Sequence, residues 1–354
     1  MKLIKKYLLS KYIKYFLIIL VSLELFFVGI DLLQNFTKLP NSANLQLLYV
    51  IYNVFFTLTI TLPLSLIFAW VVTLTFLIKE NALVSFYALG ISQKEIMKPI
   101  LLMSTFCTLI LIGLQSTPLA YAYEEKGKIL DNRYFVNEQN NIFLKYNEYF
   151  VYFKKLYPLE KKAIDIHIFK TKGNDIIETI VGEKAFYQNN KWYVIDTKIT
   201  KKPERIDWNT SKLDVTYEKF LYTLEGFEPK IISNVYKGKE HYSIIDAVRT
   251  ILLLKLQDFN TNKIKAILYA QVVMPFFVLP LIVIIFIYTT PSSRFFNSAL
   301  FISGMIFISL SLWGILFLLQ KLAIGSIVLA EIAIILPIIL FFIVAYILYK
   351  KKIL

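Results

Sequence analysis

Cysteine and histidine are nearly absent from this chain of 354 residues. Cys107 is the one cysteine, so no disulfide can form within the chain. The two histidines, His167 and His241, have no second metal-type ligand at a recognisable spacing, so no metal site is predicted. His167 alternates with apolar residues, a pattern typical of an exposed strand position. Redox chemistry and metal-assisted hydrolysis are therefore set aside.

The chain also lacks a glycine-rich phosphate loop of the Walker type. If ATP drives a process here, another subunit must bind the nucleotide, and no cofactor is expected in this chain. An intramembrane enzyme would require a paired catalytic constellation within apolar spans, and Glu24 with Asp31 makes a poor case for one. We therefore predict no catalytic residue.

Charge is missing from several long stretches. A bilayer core needs about 20 apolar residues in a helix, and in lipid only a helix or a closed barrel satisfies its own backbone. Three such spans precede a long polar segment and three follow it. They are predicted at residues 15–30, 53–77, 99–118, 266–293, 295–320 and 327–349. The uncharged stretch 39–78 is too long for one helix, so a short surface segment is expected before the second span.

Lysine and arginine occur in alternate short loops, which predicts the orientation in the membrane. Basic residues precede the first span, separate the second from the third and the fourth from the fifth, and end the chain. The opposite side carries only Lys38 and Lys321 in its short loops. Both termini are therefore predicted in the cytoplasm and the central segment outside it. A cleaved signal peptide is the alternative for the first span, but it lacks a small-residue cleavage site.

The formal charge of +14 follows this topology and does not indicate a nucleic-acid partner. Residues 122–255 contain 23 basic and 19 acidic side chains, so most of the excess lies in the membrane part, facing anionic lipid. The same segment has short runs rich in Val, Ile, Tyr, Phe and Trp between turn residues, which predicts β structure. We expect a sandwich or a rolled sheet of successive hairpins, followed by an amphipathic helix at 244–256.

These patterns predict a membrane α-helical bundle of six transmembrane helices with an inserted extracytoplasmic all-β domain. We assign residues 1–121 to an N-terminal transmembrane half, 122–255 to the β domain and 256–354 to a C-terminal transmembrane half.

The cytoplasmic loop at about 79–97 carries a further pattern. It begins polar, then presents apolar residues at helical spacing and reaches a glycine. This pattern predicts a short amphipathic helix parallel to the membrane and capped by Gly90; an inert interfacial helix is the alternative. The residues singled out in this loop are Glu80, Asn81, Leu83, Phe86, Leu89, Gly90, Ile91 and Ser92.

The run Ala88-Leu89-Gly90-Ile91-Ser92 resembles the segment by which permeases of the LptF/LptG family (the YjgP/YjgQ family) dock on the ATPase LptB. The resemblance covers the whole chain, with six spans, a β-rich domain between the third and the fourth, and Pro337 in the sixth. The run Gly29-Ile30-Asp31-Leu32-Leu33 resembles the end of the first span of LptG, which favours LptG over LptF.

The chain departs from that family at two places. Ala82 stands where members usually place a Glu before Leu-Val, and Glu80 is the nearest carboxylate. Members of the LptG branch also carry lysines around the end of the first span, where Lys38 is the nearest base here.

The resemblance implies a permease subunit of an ABC transporter that extracts lipopolysaccharide from the bacterial inner membrane. Its implied partners are a paralogous permease (LptF or LptG) and an LptB-like ATPase dimer that binds ATP and Mg. It also implies a periplasmic β-jellyroll that passes the lipid to LptC-like and LptA-like β-jellyroll proteins. A membrane-anchored envelope scaffold or binding protein without a transport cycle is the alternative.

One face of a rolled sheet can present apolar side chains to acyl chains while the other stays wet. Packing of a closed core is the alternative role for the same side chains. The residues predicted to line the lipid path are Phe143, Phe150, Tyr152, Ile166 and Ile168.

Glu24, Asp31 and Lys38 are seven residues apart and fall along one stripe of a continuous helix. An ionisable group at membrane depth normally faces a cavity or a partner. We hypothesise that the stripe faces the substrate cavity or the partner permease, with Lys38 near lipid phosphates and Asp31 paired with Lys38 or with a divalent cation. In the alternative, Glu24 contacts a neighbouring helix and Asp31 is interfacial.

Overall fold

The computed structural model describes residues 2–132, 139–158, 160–172, 175–203, 212–229, 242–255 and 261–353. These residues form two compact units. The helical unit contains residues 2–132, 242–251 and 261–353, and the β unit contains the sheet between residues 139 and 229. Two segments predicted within the β domain, Ala122–Leu130 and the first turns of Ile244–Lys255, thus belong to the helical unit.

Two long helices begin the chain. Helix α1 spans Lys2–Asn35, a short 3-10 helix follows at Phe36–Lys38, and helix α2 spans Ala43–Lys79. The surface segment expected before residue 53 is instead part of α2. Because the stretch carries no charge and Pro63 leaves the helix unbroken, nothing in it ends the helix early.

Four shorter helices come next. Three complete the N-terminal half, and the fourth leads from the sheet towards the C-terminal half. A 3-10 turn at Pro118–Tyr121 precedes the third of them, and the fourth follows the sheet in sequence. They are α3 (Ala82–Ala88), α4 (Gln93–Gln115), α5 (Ala122–Leu130) and α6 (Ile244–Lys255).

The C-terminal half contains a bent span and two further long helices. Its elements are α7 (Asn262–Val272), a 3-10 turn (Met274–Phe277), α8 (Val278–Ile287), α9 (Ser298–Ile324), a π-helical turn (Glu331–Ile335) and α10 (Leu336–Ile353). The axis bends by 44° between α7 and the segment 274–287. Pro275 and Pro280 lie just past this bend, where each removes a backbone donor and favours a kink.

Five helices are long and apolar enough to cross a membrane, and the bent pair makes up to six, which agrees with the predicted spans. Helix α2 is the centre of the bundle, because 78% of its most apolar window is buried against 11% for α1. Buried polar groups on α2 find partners on other helices: the Trp70 indole donates to the Ile282 carbonyl at 3.1 Å. Tyr12 donates to the Leu66 carbonyl at 3.0 Å.

The β unit is one antiparallel sheet in which each strand pairs with the next in sequence. Its strands are β1 (Gln139–Tyr146), β2 (Tyr149–Tyr157), β3 (Lys162–Lys172), β4 (Asp175–Gln188), β5 (Lys191–Lys201) and β6 (Asp214–Thr223). The predicted turn between β4 and β5 is confirmed. Its two residues, Asn189 and Asn190, both have positive φ, which matches the twist of a two-residue hairpin.

A row of six polar residues, one in each strand, interrupts the pairing at the same level; we call this row the crease. On alternate strands the crease residue has a left-handed backbone, which Asn and Asp tolerate better than other non-glycine residues. Such residues bend a strand, as in a β-bulge. The crease consists of Asn141, Lys154, Asp165, Glu183, Asp196 and Lys219.

The crease changes which residues face the core. On β3, Ala163 is buried before the crease, whereas Ile166 and Ile168 are buried after it, so the inward phase shifts from odd to even residues. At the same level Gly182 makes room for β5, since a Cβ there would lie 2.1 Å from Val194 Cγ1. The inner face carries a closed apolar core that includes Phe153 and Trp192.

Candidate functional site

Helix α3 is built as a small projection on the helical unit. Its capping residue Asn81 has a left-handed backbone, and the Ser293 hydroxyl donates to Asn81 Oδ1 at 2.6 Å. At the other end Ile91 N donates to the Phe86 carbonyl at 3.0 Å, and Gly90 N donates to the Tyr87 carbonyl at 2.9 Å. These two bonds define a Schellman cap with Gly90 at φ +73°. The predicted helix and its glycine cap are therefore confirmed.

The apolar residues of α3 divide into two sets. Leu83 and Phe86 are buried in the main core of the helical unit, where they anchor the helix. Val84 and Leu89 point away from that core, and Leu89 is 72% exposed. Val84 and Leu89 together give this helix an exposed apolar outer face, which is a candidate contact surface. Ser92 is also exposed and Ile91 is partly exposed.

Glu80 makes contacts within the chain. Its carboxylate accepts hydrogen bonds from the Lys11 ammonium and, at 3.1 Å, from the Tyr7 hydroxyl. The hydrogen bond from Lys11 holds the pKa of Glu80 below its usual value. The side chain remains 47% exposed, so Glu80 fixes α3 to α1 and still presents negative charge at the surface.

Glu24 faces helix α2. The Thr57 hydroxyl donates to one carboxylate oxygen at 2.6 Å, and the Thr61 hydroxyl donates to the other. Both threonines are buried. Glu24 thus contacts a neighbouring helix of the same chain, which is one of the two alternatives predicted for it. The two hydroxyls provide the hydrogen bonds that a carboxylate within an apolar span requires.

Asp31 pairs with Lys126 on α5 and not with Lys38, so the predicted partner was wrong. Lys126 Nζ lies 2.9 Å from Asp31 Oδ1 and 2.9 Å from Asn53 Oδ1. The Tyr49 hydroxyl donates to the second Asp31 oxygen at 2.5 Å. The lysine side chain is only 8% exposed and that of Asp31 is 23% exposed. A buried ammonium requires such a partner, because an uncompensated charge is costly away from water.

Aromatic rings complete the surroundings of Lys126. Its ammonium lies 5.1 Å from the centroid of Phe56, 5.7 Å from that of Tyr123 and 5.8 Å from that of Tyr49. Ring faces attract cations at these distances. Our sequence reasoning missed Lys126, although one signal was present: Ala122, Lys126 and Ile129 occupy one face of a helix, and all three are buried.

Lys38 follows the end of α1 in the 3-10 turn Phe36–Lys38, and it is exposed. The predicted stripe therefore does not act as one unit. The side chains of Glu24 and Asp31 contact α2 and α5, whereas the Lys38 side chain is exposed and accessible to a ligand.

The residues predicted to line a lipid path lie on two opposite faces of the sheet. Ile166 and Ile168 lie in the buried core on the inner face. Phe143, Phe150 and Tyr152 lie on the outer face, where Phe143 and Phe150 stack with centroids 5.8 Å apart. Alternation within one strand could not show this, because it does not give the register between strands: Tyr152 pairs with His167, so Ile168 faces the opposite side.

An open groove of about 500 Å³ follows the crease on the β unit. Its lining is Lys154, Lys155, Ile164, Asp165, Val181, Gly182, Glu183, Asp196 and Lys198. Lys154 pairs with Asp165 at 3.1 Å, and His167 lies 2.9 Å from the same carboxylate. The charges of both signs balance one another, so the groove has no strong preference for anions.

Within the described ranges no three His, Cys, Asp or Glu side chains converge closely enough to hold a metal ion. No curated relative matches the chain. The sequence model of the family described as "Lipopolysaccharide export system permease LptF/LptG" matches residues 6–351, which is almost the whole chain. This match does not distinguish LptF from LptG, so our preference for LptG stays a prediction. The helical bundle, the inserted sheet and this match lead to one conclusion: the chain belongs to the LptF/LptG family of lipopolysaccharide export permeases.

Proposed function

We propose that this chain is the permease subunit of an ABC transporter that extracts lipopolysaccharide from the inner membrane. Family membership and the apolar helices make it a multi-pass inner-membrane permease of lipopolysaccharide export. The observation that carries the finer proposal is α3: two buried residues hold it in place, and its outer face presents apolar side chains. That construction suits docking of a cytoplasmic ATPase.

In this proposal Leu83 and Phe86 are anchors, and Val84 and Leu89 meet an LptB-like ATPase dimer, which binds the ATP and Mg. Gly90, Ile91 and Ser92 end the helix at the contact. Ser293 joins α3 through Asn81, so the loop between α8 and α9 supports the same surface. ATP hydrolysis thus belongs to the partner, and this chain transmits its effect.

The distribution of Lys and Arg supports cytoplasmic termini and a periplasmic β unit. We infer that a paralogous permease completes the membrane part, because most of α1 and α9 is not buried within this chain. LptC-like and LptA-like β-jellyroll proteins are the proposed next carriers of the lipid. Lys38 is the proposed contact for lipid phosphate, since it is cationic and exposed near the outer end of α1.

The test is co-purification of the ATPase with tagged protein from native membranes in mild detergent. Leu89→Asp puts charge on the outer face of α3 without touching the buried anchors, and we expect it to lose at least about tenfold of the bound ATPase, as burying an unpaired charge costs several kcal/mol. Leu89→Met preserves an apolar side chain and is the matched control. Equal ATPase recovery from both variants would contradict docking at α3, and absence of ATPase from the wild type would favour the scaffold.

A further inference from the structure

Residues Leu224–Phe227 follow β6 and return over the inner face of the sheet; we call them the strap. Leu224 and Phe227 are both buried, at 4% and 7% exposure. Phe227 packs on the residues of the closed core, with its ring stacked on Tyr146 at a centroid distance of 4.3 Å and lying 6.3 Å from that of Phe153. The strap thus covers apolar side chains that the sheet alone would leave open.

Specific hydrogen bonds hold the strap. The Trp192 indole donates to the Phe227 carbonyl at 2.7 Å, and the Tyr146 hydroxyl donates to the Glu225 carbonyl at 2.5 Å. Gly226 N donates to the Asn190 carbonyl at 2.7 Å, which ties the strap to the β4–β5 turn. Buried donors that would otherwise lose their hydration are therefore satisfied by the strap.

The strap is also strained. Leu224 has φ +52°, in the left-handed region that non-glycine residues seldom adopt. Gly226, at φ +79°, adopts the same region without penalty. A strained backbone persists only while its surroundings hold it, and such strain is typical of segments that change conformation.

We propose that the strap is a displaceable cover and that Phe227 occupies the place of a lipid acyl chain. An acyl chain can replace the Phe227 ring against Tyr146, Phe153 and Trp192, because both bury apolar surface away from water. On displacement, the strain at Leu224 is released and the inner face accepts the chain. The inference rests on the proposed function, because it assumes that lipopolysaccharide passes along the β unit.

The test uses photo-crosslinking of lipopolysaccharide to the complete transporter complex in membranes. A photoreactive residue at Leu144 reports on the inner face, since Leu144 packs against the closed core. The same residue at Phe143, the exposed neighbour on the outer face, is the matched control.

Tyr146→Phe removes one hydrogen bond to the strap and retains the ring that stacks on Phe227. We expect crosslinking at Leu144 to rise about fivefold, the population shift that loss of one hydrogen bond produces, with no rise at Phe143. Phe227→Ala should raise it further. Tyr187→Phe, which removes a hydroxyl bonded to the exposed Asn190 side chain at 2.8 Å, should leave both signals unchanged.

Equal crosslinking at Leu144 in the wild type, Tyr146→Phe and Phe227→Ala would overturn the strap proposal but would not contradict a lipid path along the β unit. Absence of crosslinking at Leu144 in all three proteins, with the ATPase still bound, would overturn the lipid path through the β unit and the strap proposal with it.

Discussion

The ammonium of Lys126 lies 2.9 Å from Oδ1 of Asp31, although 95 residues separate them in sequence. The pair joins α1 to α5, and Asn53 of α2 binds the same ammonium. Three helices therefore meet at one buried cation. Helix α5 precedes the β unit in sequence. The Asp31–Lys126 pair therefore fixes the position of α5 within the helical unit, just before the chain continues to the sheet.

Replacing Lys126 with Met should weaken this junction. The variant leaves the Asp31 carboxylate without its cation, and removal of one partner from a buried pair costs about 3 kcal/mol. We expect a lower thermal midpoint for the protein in detergent. Lys128→Met is the control on the same helix, because Lys128 pairs with Glu125 near the surface and such pairs contribute about 1 kcal/mol or less. Equal midpoints for the two variants would show that the buried pair does not hold the helices.

Gly182→Ala should destabilise the β unit. The new methyl group would lie 2.1 Å from Val194 Cγ1, and overpacking of this kind costs about 1–3 kcal/mol. Chemical denaturation followed by tryptophan fluorescence measures the effect, since Trp192 lies in the affected core. Adding Val194→Ala should recover part of the loss. Gly127→Ala, in a helix with nothing within 4 Å, should be neutral or stabilising.

Gly90→Val should loosen the end of α3. A β-branched residue does not tolerate φ +73°, so the Schellman cap opens and α3 loses its fixed end. We expect reduced co-purification of the ATPase while the protein remains in the membrane. Gly90→Asn, which adopts left-handed backbone at lower cost, should retain most of the binding. The reverse order of the two variants would contradict a role for the cap.

Asp165 should make stability depend on pH in the acidic range. A hydrogen bond from Lys154 holds its pKa below the usual value, and His167 acts in the same direction. A carboxylate with a lowered folded-state pKa contributes stability that is complete above its unfolded pKa, about 3.9, and is lost as pH falls through the folded pKa.

Asp165→Asn should therefore reduce stability at pH 7 by up to about 1 kcal/mol, since the side chain is a third exposed. The difference from the wild type should shrink as pH falls through the folded-state pKa of Asp165, below which the carboxyl is neutral in both states. Thermal unfolding in detergent at pH 7 and across the acidic range is the measurement. Asp175→Asn, at a position 78% exposed and 3.6 Å from Lys202, should show a smaller difference. A constant difference across the pH range would exclude the charge as its cause.

The apolar spans, the hairpin turns and the Gly90 cap were predictable because each follows from local sequence: composition over one helix, two asparagines in one turn, one glycine after one helix. The pairing of Asp31 was not. The stripe geometry suggested Lys38 on the same helix, whereas the actual partner lies on α5 and reaches Asp31 only through tertiary packing.

The register between strands explains the error in the β unit. Alternation within each strand treats Tyr152 and Ile168 alike, but Tyr152 pairs with His167 and Ile168 pairs with Val151, so the two side chains face opposite sides of the sheet. The crease was not predictable either. A left-handed Asp or Asn within a strand is compatible with the sequence and is not required by it, and only pairing with the adjacent strands determines where the crease occurs.

Helix α3 has seven residues, fewer than a helix needs to persist in water by itself. Its shape depends on Leu83 and Phe86 being seated in the assembled bundle. In the proposed docking mode, a misfolded permease therefore displays no surface for the ATPase, and an isolated peptide of this sequence should compete poorly for it. Under that proposal, recruitment of the ATPase is also a quality-control step, in which only a correctly folded membrane subunit is supplied with energy.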